Sequence, residues 1–238
     1  MARIGIIGGT ALRDWKGFDI EEKEEKNTPW GTPSSPLFKG KMDGEEIVLL
    51  MRHGKDHTIP PHRINHRANI YALQREVDEI LGVCSAGALD KDINVPSIAI
   101  PEDYVNIWDP ITFYNEKIKH VTPELSKKMR DELIKASEEE KTSDIYDESV
   151  YVQTKGPRLE TKAEVNILKN FGDLVGMTMA SEATLAKEVN LEYGAIVTVD
   201  NHANGVKDEE VDYQDILETA EDNFKNVKDI ILNFLEKR

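Results

Sequence analysis

Six short apolar runs dominate this chain: "RIGIIG" (Arg3 to Gly8), "EIVLLM", "EILGVCSAG", "SIAIP", "SVYVQ" and "EYGAIVTVD". Runs of this length, rich in β-branched residues and closed by glycine, proline or polar residues, read as buried strands. The segments between several of them carry helical spacing. "NHRANIYALQREV" predicts a helix beginning near Asn65, and the stretch from Thr122 to Ser137 predicts another, with Thr122 as cap ahead of Pro123. "ETKAEVNILKNF" and "SEATLAKEV" read as two more. From Val211 to Leu235 apolar residues recur at steps of mostly three or four, the mark of a long amphipathic helix. "SEEEKTSDIYDES" reads as an acidic surface loop. Strands alternating with helices, with no repeat and no break in composition, predict one α/β domain over residues 1–238 around a largely buried sheet.

In such folds ligands collect at the carboxyl ends of strands. The polar oddities of the sequence fall there: "GGT", "RHG", "CSAGAL", "DNHANG" and, ahead of a helix, "GMTMASE". "RHG" opens the most concentrated of them. Four of the six histidines, His53, His57, His62 and His66, lie between Met51 and Ile70 with Arg52, Lys55, Arg63 and Arg67, in a chain of formal charge −15. His53 and His57 are spaced for a metal on one helical face, but Gly54 and the prolines after Ile59 disfavour that helix. The cationic neighbours repel a metal and attract an anion, which favours Arg52 as a bidentate phosphate partner; a solvated basic loop is the plainer alternative.

"GIIGGTAL" offers backbone N–H groups and the Thr10 hydroxyl to an anion, although it is neither G-x-G-x-x-G nor a P-loop and a simple tight turn fits it too. Thr178, just ahead of a helix, is placed either to bind an anion or to cap. Asn201, at the end of a buried strand, can donate to a carbonyl and accept from an N–H, so it suits a heterocycle edge as well as a turn.

The acidic balance excludes nucleic acid as a partner, because phosphate backbones need a basic face. No apolar run reaches the ~20 residues of a membrane span, and the start lacks a signal peptide. With one cysteine, Cys84, no internal disulfide forms. A cytoplasmic protein is the expectation.

Together the stretches "GIIGGTAL", "WGTPSSPLFKG", "RHGKDHTIPPHRINHRANI", "GPRLETKAE" and "GMTMASEATLAKE" resemble the purine nucleoside phosphorylase superfamily, and within it the methylthioadenosine phosphorylase branch. The resemblance implies a mixed, partly closed β-sheet flanked by helices, assembled as a homotrimer or a dimer of trimers. It implies phosphorolysis of a purine nucleoside, with inorganic phosphate as co-substrate and no metal or organic cofactor. Carried onto this chain, it implies phosphate held by Thr10, Arg52, His53, Thr178 and the backbone near Ser85. Met177 would lie against the ribose, with Glu182 following it. His120 would be lent to a neighbouring subunit, and His53 and Asn201 would be the catalytic pair.

Three departures bear on substrate. The adenine-specific branch ends its last strand in Asp-x-Asp; an ungapped alignment puts Asn201 and Ala203 there. A carboxylate suits the 6-amino group of adenine, whereas a 6-oxopurine left facing one would lose about 1–3 kcal/mol. An amide and an alanine therefore predict 5′-methylthioinosine, inosine or guanosine. A register slip of one would return Asp200 to the base and revive 5′-methylthioadenosine. Leu159 stands where the family has Phe beside the base, losing ring stacking. Cys84 stands where Thr or Asn is usual and reads as a small buried residue. Val211 and Tyr213 are expected near the 5′ end. A metal protein built on the histidine cluster is the alternative of another class, and a nucleoside-binding or hydrolytic relative is a further rival.

Overall fold

Burial of Ile4–Gly8 at every position makes it β1, an inner strand of the sheet. Apolar side chains on both faces suit a strand covered on both sides. β1 runs parallel to β4 (Glu45–Met51) on one edge and to β5 (Glu79–Ala88) on the other. A computed structural model describes residues 3–9, 17–42, 44–139, 144–208 and 213–238.

Among the described residues the sheet is mixed and has 11 strands. β2 (Phe18–Glu24) and β3 (Leu37–Met42) extend it antiparallel beyond β4. The sequence does not announce β2: "FDIEEKE" is charged and largely exposed, as befits an edge strand that must not pair with another chain.

The sheet forks at β5. Its first residues pair with β1, its last two pair antiparallel with β10 (Leu174–Gly176), and its other edge pairs with β11 (Glu192–His202). β10 leads on to β9 (Val150–Gln153) and β7 (Asp103–Val105). β11 leads to β6 (Ser97–Ala99), which pairs β8 (Ile145–Tyr146) inside the segment expected to be a loop.

Five helices are described around the sheet. α1 (His66–Leu73) starts at Asn65, whose side chain accepts from Ala68 N at 3.1 Å. α2 (Lys127–Ser137) begins later than expected: Ser126, not Thr122, caps it by accepting from Met129 N, and Thr122 and Pro123 lie ahead of it in irregular chain. α3 (Lys162–Leu168) opens with a reciprocal Thr161–Glu164 capping box. α4 is Met179–Glu188 and α5 is Tyr213–Glu236. α5 buries Val227, Ile230, Ile231, Phe234 and Leu235 against Ile4, Ile6, Ile47 and Leu49. Each such side chain is worth about 1.5–3 kcal/mol in gross transfer energy. Among the described residues, no helix is long and apolar enough to cross a membrane.

Candidate active site

Where β5, β10 and β11 diverge, a cavity of about 550 Å³ opens. Gly9 follows β1 into it, Arg52 and His53 follow β4, and Met177 and Thr178 follow β10. Ser85 on β5 and Asn201 and Ala203 at the end of β11 complete the strand side, and Leu159 and Glu160 form a further wall. Eight residues singled out in separate motifs thus reach one space: Arg52, His53, Ser85, Leu159, Met177, Thr178, Asn201 and Ala203.

Arg52 is 1% exposed and nearly saturated. Its Nε donates to Glu182 Oε1 at 2.7 Å and its Nη2 to Glu182 Oε2 at 3.0 Å. Nη2 also donates to Ile7 O at 3.0 Å, and Nη1 to Val83 O at 2.6 Å. The bidentate face expected to grip phosphate is therefore turned to Glu182, because a buried guanidinium requires a buried countercharge. One N–H of Nη1 remains. Nη1 lies beside Gly9, where a Cβ would come within 2.8 Å of it, so the turn after β1 must be glycine.

Glu182 is correspondingly not in the cavity wall but behind it, fully buried, with Tyr193 Oη donating to Oε2 at 2.9 Å. Tyr193 reaches it across β5 only because position 82 is glycine: a Cβ there would stand 1.9 Å from the Tyr193 hydroxyl.

His53 Nδ1 lies 2.8 Å from the Ile59 carbonyl, which fixes the proton on Nδ1 and leaves Nε2 as an acceptor. Burial and then the Arg52 charge push its pKa down to about 4, so the ring is neutral near pH 7. His57, in the left-handed region at φ 54°, sets its ring 4.7 Å from that of His53.

Thr178 occupies the N-cap position of α4 without capping it; among the described residues its hydroxyl has only a 3.9 Å contact to Cys84 Sγ. Two amides at this helix end are already engaged: Thr178 N donates to Tyr151 Oη and Ser181 N to Gln153 Oε1. The hydroxyl, rather than the full helix terminus, is what this element offers an anion. Cys84 is buried, and that burial pushes its thiol up to about 11, as suits a packing residue.

At the other end of the cavity a bulge decides which side chains face in. Val199 pairs with Ala86 and Asn201 with Gly87, so Asp200 is the extra residue. Such an insertion re-aims the residues around it. Asp200 is 3% exposed; its Oδ2 accepts from Ser85 Oγ at 2.5 Å and Thr198 Oγ1 at 2.7 Å, and its Oδ1 accepts from Asn223 Nδ2 at 3.4 Å. Asn201 and Ala203 line the cavity and Asp200 does not. Asn201 Nδ2 donates to His202 O at 2.8 Å, leaving its oxygen and second N–H.

A model of the phosphorylase superfamily matches residues 3–236. The chain belongs to the phosphorylase superfamily. It is 41% identical over 235 residues to a probable 6-oxopurine nucleoside phosphorylase of Archaeoglobus fulgidus, covering 98% of this chain and 96% of that protein. It is 36% identical to a probable S-methyl-5′-thioinosine phosphorylase of Thermodesulfovibrio yellowstonii, covering 99% and 91%. A methylthioadenosine phosphorylase of Schistosoma mansoni, solved with adenine, superposes with a TM-score of 0.87 at 28% identity, covering 100% and 92%. The chain is thus an enzyme of the purine nucleoside phosphorylase kind, as its motifs implied.

Two residues that sequence reasoning passed over line this phosphorylase cavity. Glu160 sits inside "GPRLET", where the adjacent Thr161 reads as a helix start; it is 9% exposed, and its Oε1 accepts from Thr154 Oγ1 at 2.6 Å. Ile216, on the first turn of α5, adds an apolar side chain to a lining that also includes Ile59, Pro60 and Pro61. Thr10 and Val211 lie outside the described residues, as does the Tyr213 side chain. His120 is exposed and does not line the cavity of its own chain. The histidine cluster disperses: His53 and His57 line the cavity, His62 stands on an exposed 3-10 turn and His66 is buried. Among the described residues, no group of three or more His, Cys, Asp or Glu side chains is placed to hold a metal ion.

Proposed function

We propose that the enzyme phosphorolyses 6-oxopurine nucleosides, S-methyl-5′-thioinosine first and inosine and guanosine besides. One observation carries this: the cavity presents Asn201 and Glu160, while the Asp200 carboxylate is turned away and held by Ser85, Thr198 and Asn223. A 6-oxopurine offers an acceptor at O6 and a donor at N1–H. An amide N–H from Asn201 answers the first and the Glu160 carboxylate the second. Adenine reverses both groups, and N1 facing a carboxylate would cost about 1–3 kcal/mol, or about 5- to 150-fold in rate. The names of two relatives agree with this base.

Phosphate would lie between the free Nη1–H of Arg52, the Thr178 hydroxyl and the backbone at Ser85, with Thr10 completing the set, and its own P–OH would donate to His53 Nε2. Its oxygen attacks C1′ as the bond from C1′ to the purine nitrogen breaks. The electron pair leaves with the base, and Asn201 stabilises that charge through O6 or N7. Met177 lies against the ribose and Leu159 walls the base. Ile216, Ile59 and Pro60 offer a 5′-methylthio group apolar contact. Phosphate is a co-substrate, and no metal or organic cofactor enters. Assembly as a trimer, or a dimer of trimers, would bring the exposed His120 to a neighbouring site.

Base release from 5′-methylthioinosine, inosine, guanosine, 5′-methylthioadenosine and adenosine, each with and without phosphate, tests the proposal. Phosphate-dependent release of hypoxanthine, with adenine release at least tenfold slower, is expected. Adenine release at an equal rate would return the base to Asp200. Release without phosphate would refute phosphorolysis.

A further inference from the structure

Among the described residues, the basic groups at the anion end of the cavity do not add up to a positive charge. Arg52 and Glu182 neutralise one another in a bidentate pair. His53 is neutral, and the chain as a whole carries −15. A phosphate dianion leaving water for such a place needs a further countercharge.

One buried group is positioned to provide it. His66 opens α1 and is 7% exposed. Among the described residues its Nδ1 is buried without a hydrogen-bond partner, and it lies 3.9 Å from Glu182 Oε1. Among the described residues that oxygen accepts one bond, from Arg52 Nε, and so has a lone pair to spare. An orphaned nitrogen facing a carboxylate that is itself bonded to the anion-binding guanidinium is an unusual thing to bury.

We propose that His66 is a positioning residue for phosphate: the anion enters together with one proton from solvent, and His66 holds that proton against Glu182. Glu182 then divides its charge between imidazolium and guanidinium, and more of the Arg52 charge is left for the anion. The inference rests on the reading of the Arg52 end of the cavity as the phosphate site.

The charged groups acting on His66 come from three elements. Glu182 on α4 and Asp109 in the segment after β7 favour the proton, while Arg52 beyond β4 opposes it. Without an anion, burial prevails and the ring stays neutral, its pKa near 4. An anion against Arg52 offsets the one opposing charge. His53 also feels Glu182, but Arg52 and His57 oppose a positive ring there and its Nδ1 is already engaged by the Ile59 carbonyl, whereas His66 Nδ1 faces Glu182 directly.

Calorimetric titration with sulfate, a dianion throughout the range used, in buffers of different ionisation enthalpy counts the protons. Uptake of half a proton or more per sulfate at pH 6 is expected. Affinity should rise by up to about tenfold for each unit the pH falls from 7.5 to 5.5. His66→Asn should remove at least half of the uptake, and His62→Asn, on the exposed turn, none of it. Binding with no proton uptake by the unaltered enzyme overturns the proposal, whatever the fate of the variant. Uptake that survives in a folded His66→Asn overturns the assignment to His66. Failure of sulfate, and of phosphate, to bind at all would overturn the anion site itself.

Discussion

Replacing Glu182 by Gln is the sharpest test of how the cavity is held. The carboxylate accepts from Arg52 Nε, Arg52 Nη2 and Tyr193 Oη, at 2.7, 3.0 and 2.9 Å. An amide has one oxygen and one NH₂. If the oxygen faces Nε, the NH₂ meets Nη2–H and the tyrosine hydroxyl. The hydroxyl can turn and accept, but the guanidinium cannot. Arg52 keeps Ile7 O and Val83 O and loses its paired carboxylate in a fully buried place. Breaking a buried pair from one side costs about 3–5 kcal/mol. In a chain of this length each kcal/mol moves the melting temperature by about 2–4 °C, so a fall of about 6–20 °C follows. Thermal melts at one fixed protein concentration read it. Phosphate should then raise the melting temperature of Glu182→Gln more than that of the unaltered enzyme, since the anion meets an uncompensated guanidinium. A fall below about 3 °C, with equal phosphate shifts, would refute the idea that this pair is the scaffold of the anion end.

Asn201→Asp should lower kcat/KM for inosine by about 10- to 100-fold while sparing 5′-methylthioadenosine, and an unchanged ratio would contradict the base reading. Gly82→Ala should cost about 1–3 kcal/mol in urea denaturation by driving Tyr193 Oη from Glu182; because the clash is with that hydroxyl, Tyr193→Phe should recover part of the loss in the double variant. His53 and His66 have pKa values near 4 in the fold against an ordinary 6.5, so between those values the unfolded chain binds more protons. The contribution of these two histidines should therefore be level above pH 6.5 and fall by about 3 kcal/mol each down to pH 4, and a urea midpoint that fails to drop between pH 7 and 4.5 would refute this. Cys84, pushed up to about 11 and buried, should resist iodoacetamide at pH 8 until the chain is unfolded.

What the sequence discloses depends on how local the cause is. β1 and β11 were legible because strands buried on both faces must be apolar along their length. β2 was not, since an exposed edge strand carries no such pattern. Ser126 displaced Thr122 as a cap because tertiary packing, not the Thr-Pro pair, decides where α2 begins. Arg52, Thr178 and Asn201 could be nominated because each ends or follows a strand. The partner of Arg52 could not, being 130 residues away, and a bidentate guanidinium reads equally well as a grip on phosphate or on carboxylate. The bulge at Asp200 has no sequence mark, although it decides whether an aspartate or an asparagine meets the base. Glu160 was hidden in plain view: the next residue, Thr161, caps α3, and a carboxylate beside a cap looks like part of it.

Both ends of the cavity rest on the same two strands. β5 and β11 run parallel in register from Glu79 and Glu192 to the bulge. Near their start, Tyr193 crosses beside Gly82 to Glu182, and Glu182 fixes Arg52. Near their end, Ser85 bonds Asp200, which leaves Asn201 facing inward. A shift of one strand against the other would loosen the guanidinium at one end and re-aim the amide at the other. Strand pairing buried in a close-packed interior resists such a shift far more than surface loops do. That separation of framework from walls is visible in the cavity's lining: Arg52, His53, Ser85, Thr178 and Asn201 lie on or just beyond strands, while Leu159, Glu160 and Ile59 come from loops and Ile216 from the first turn of a helix.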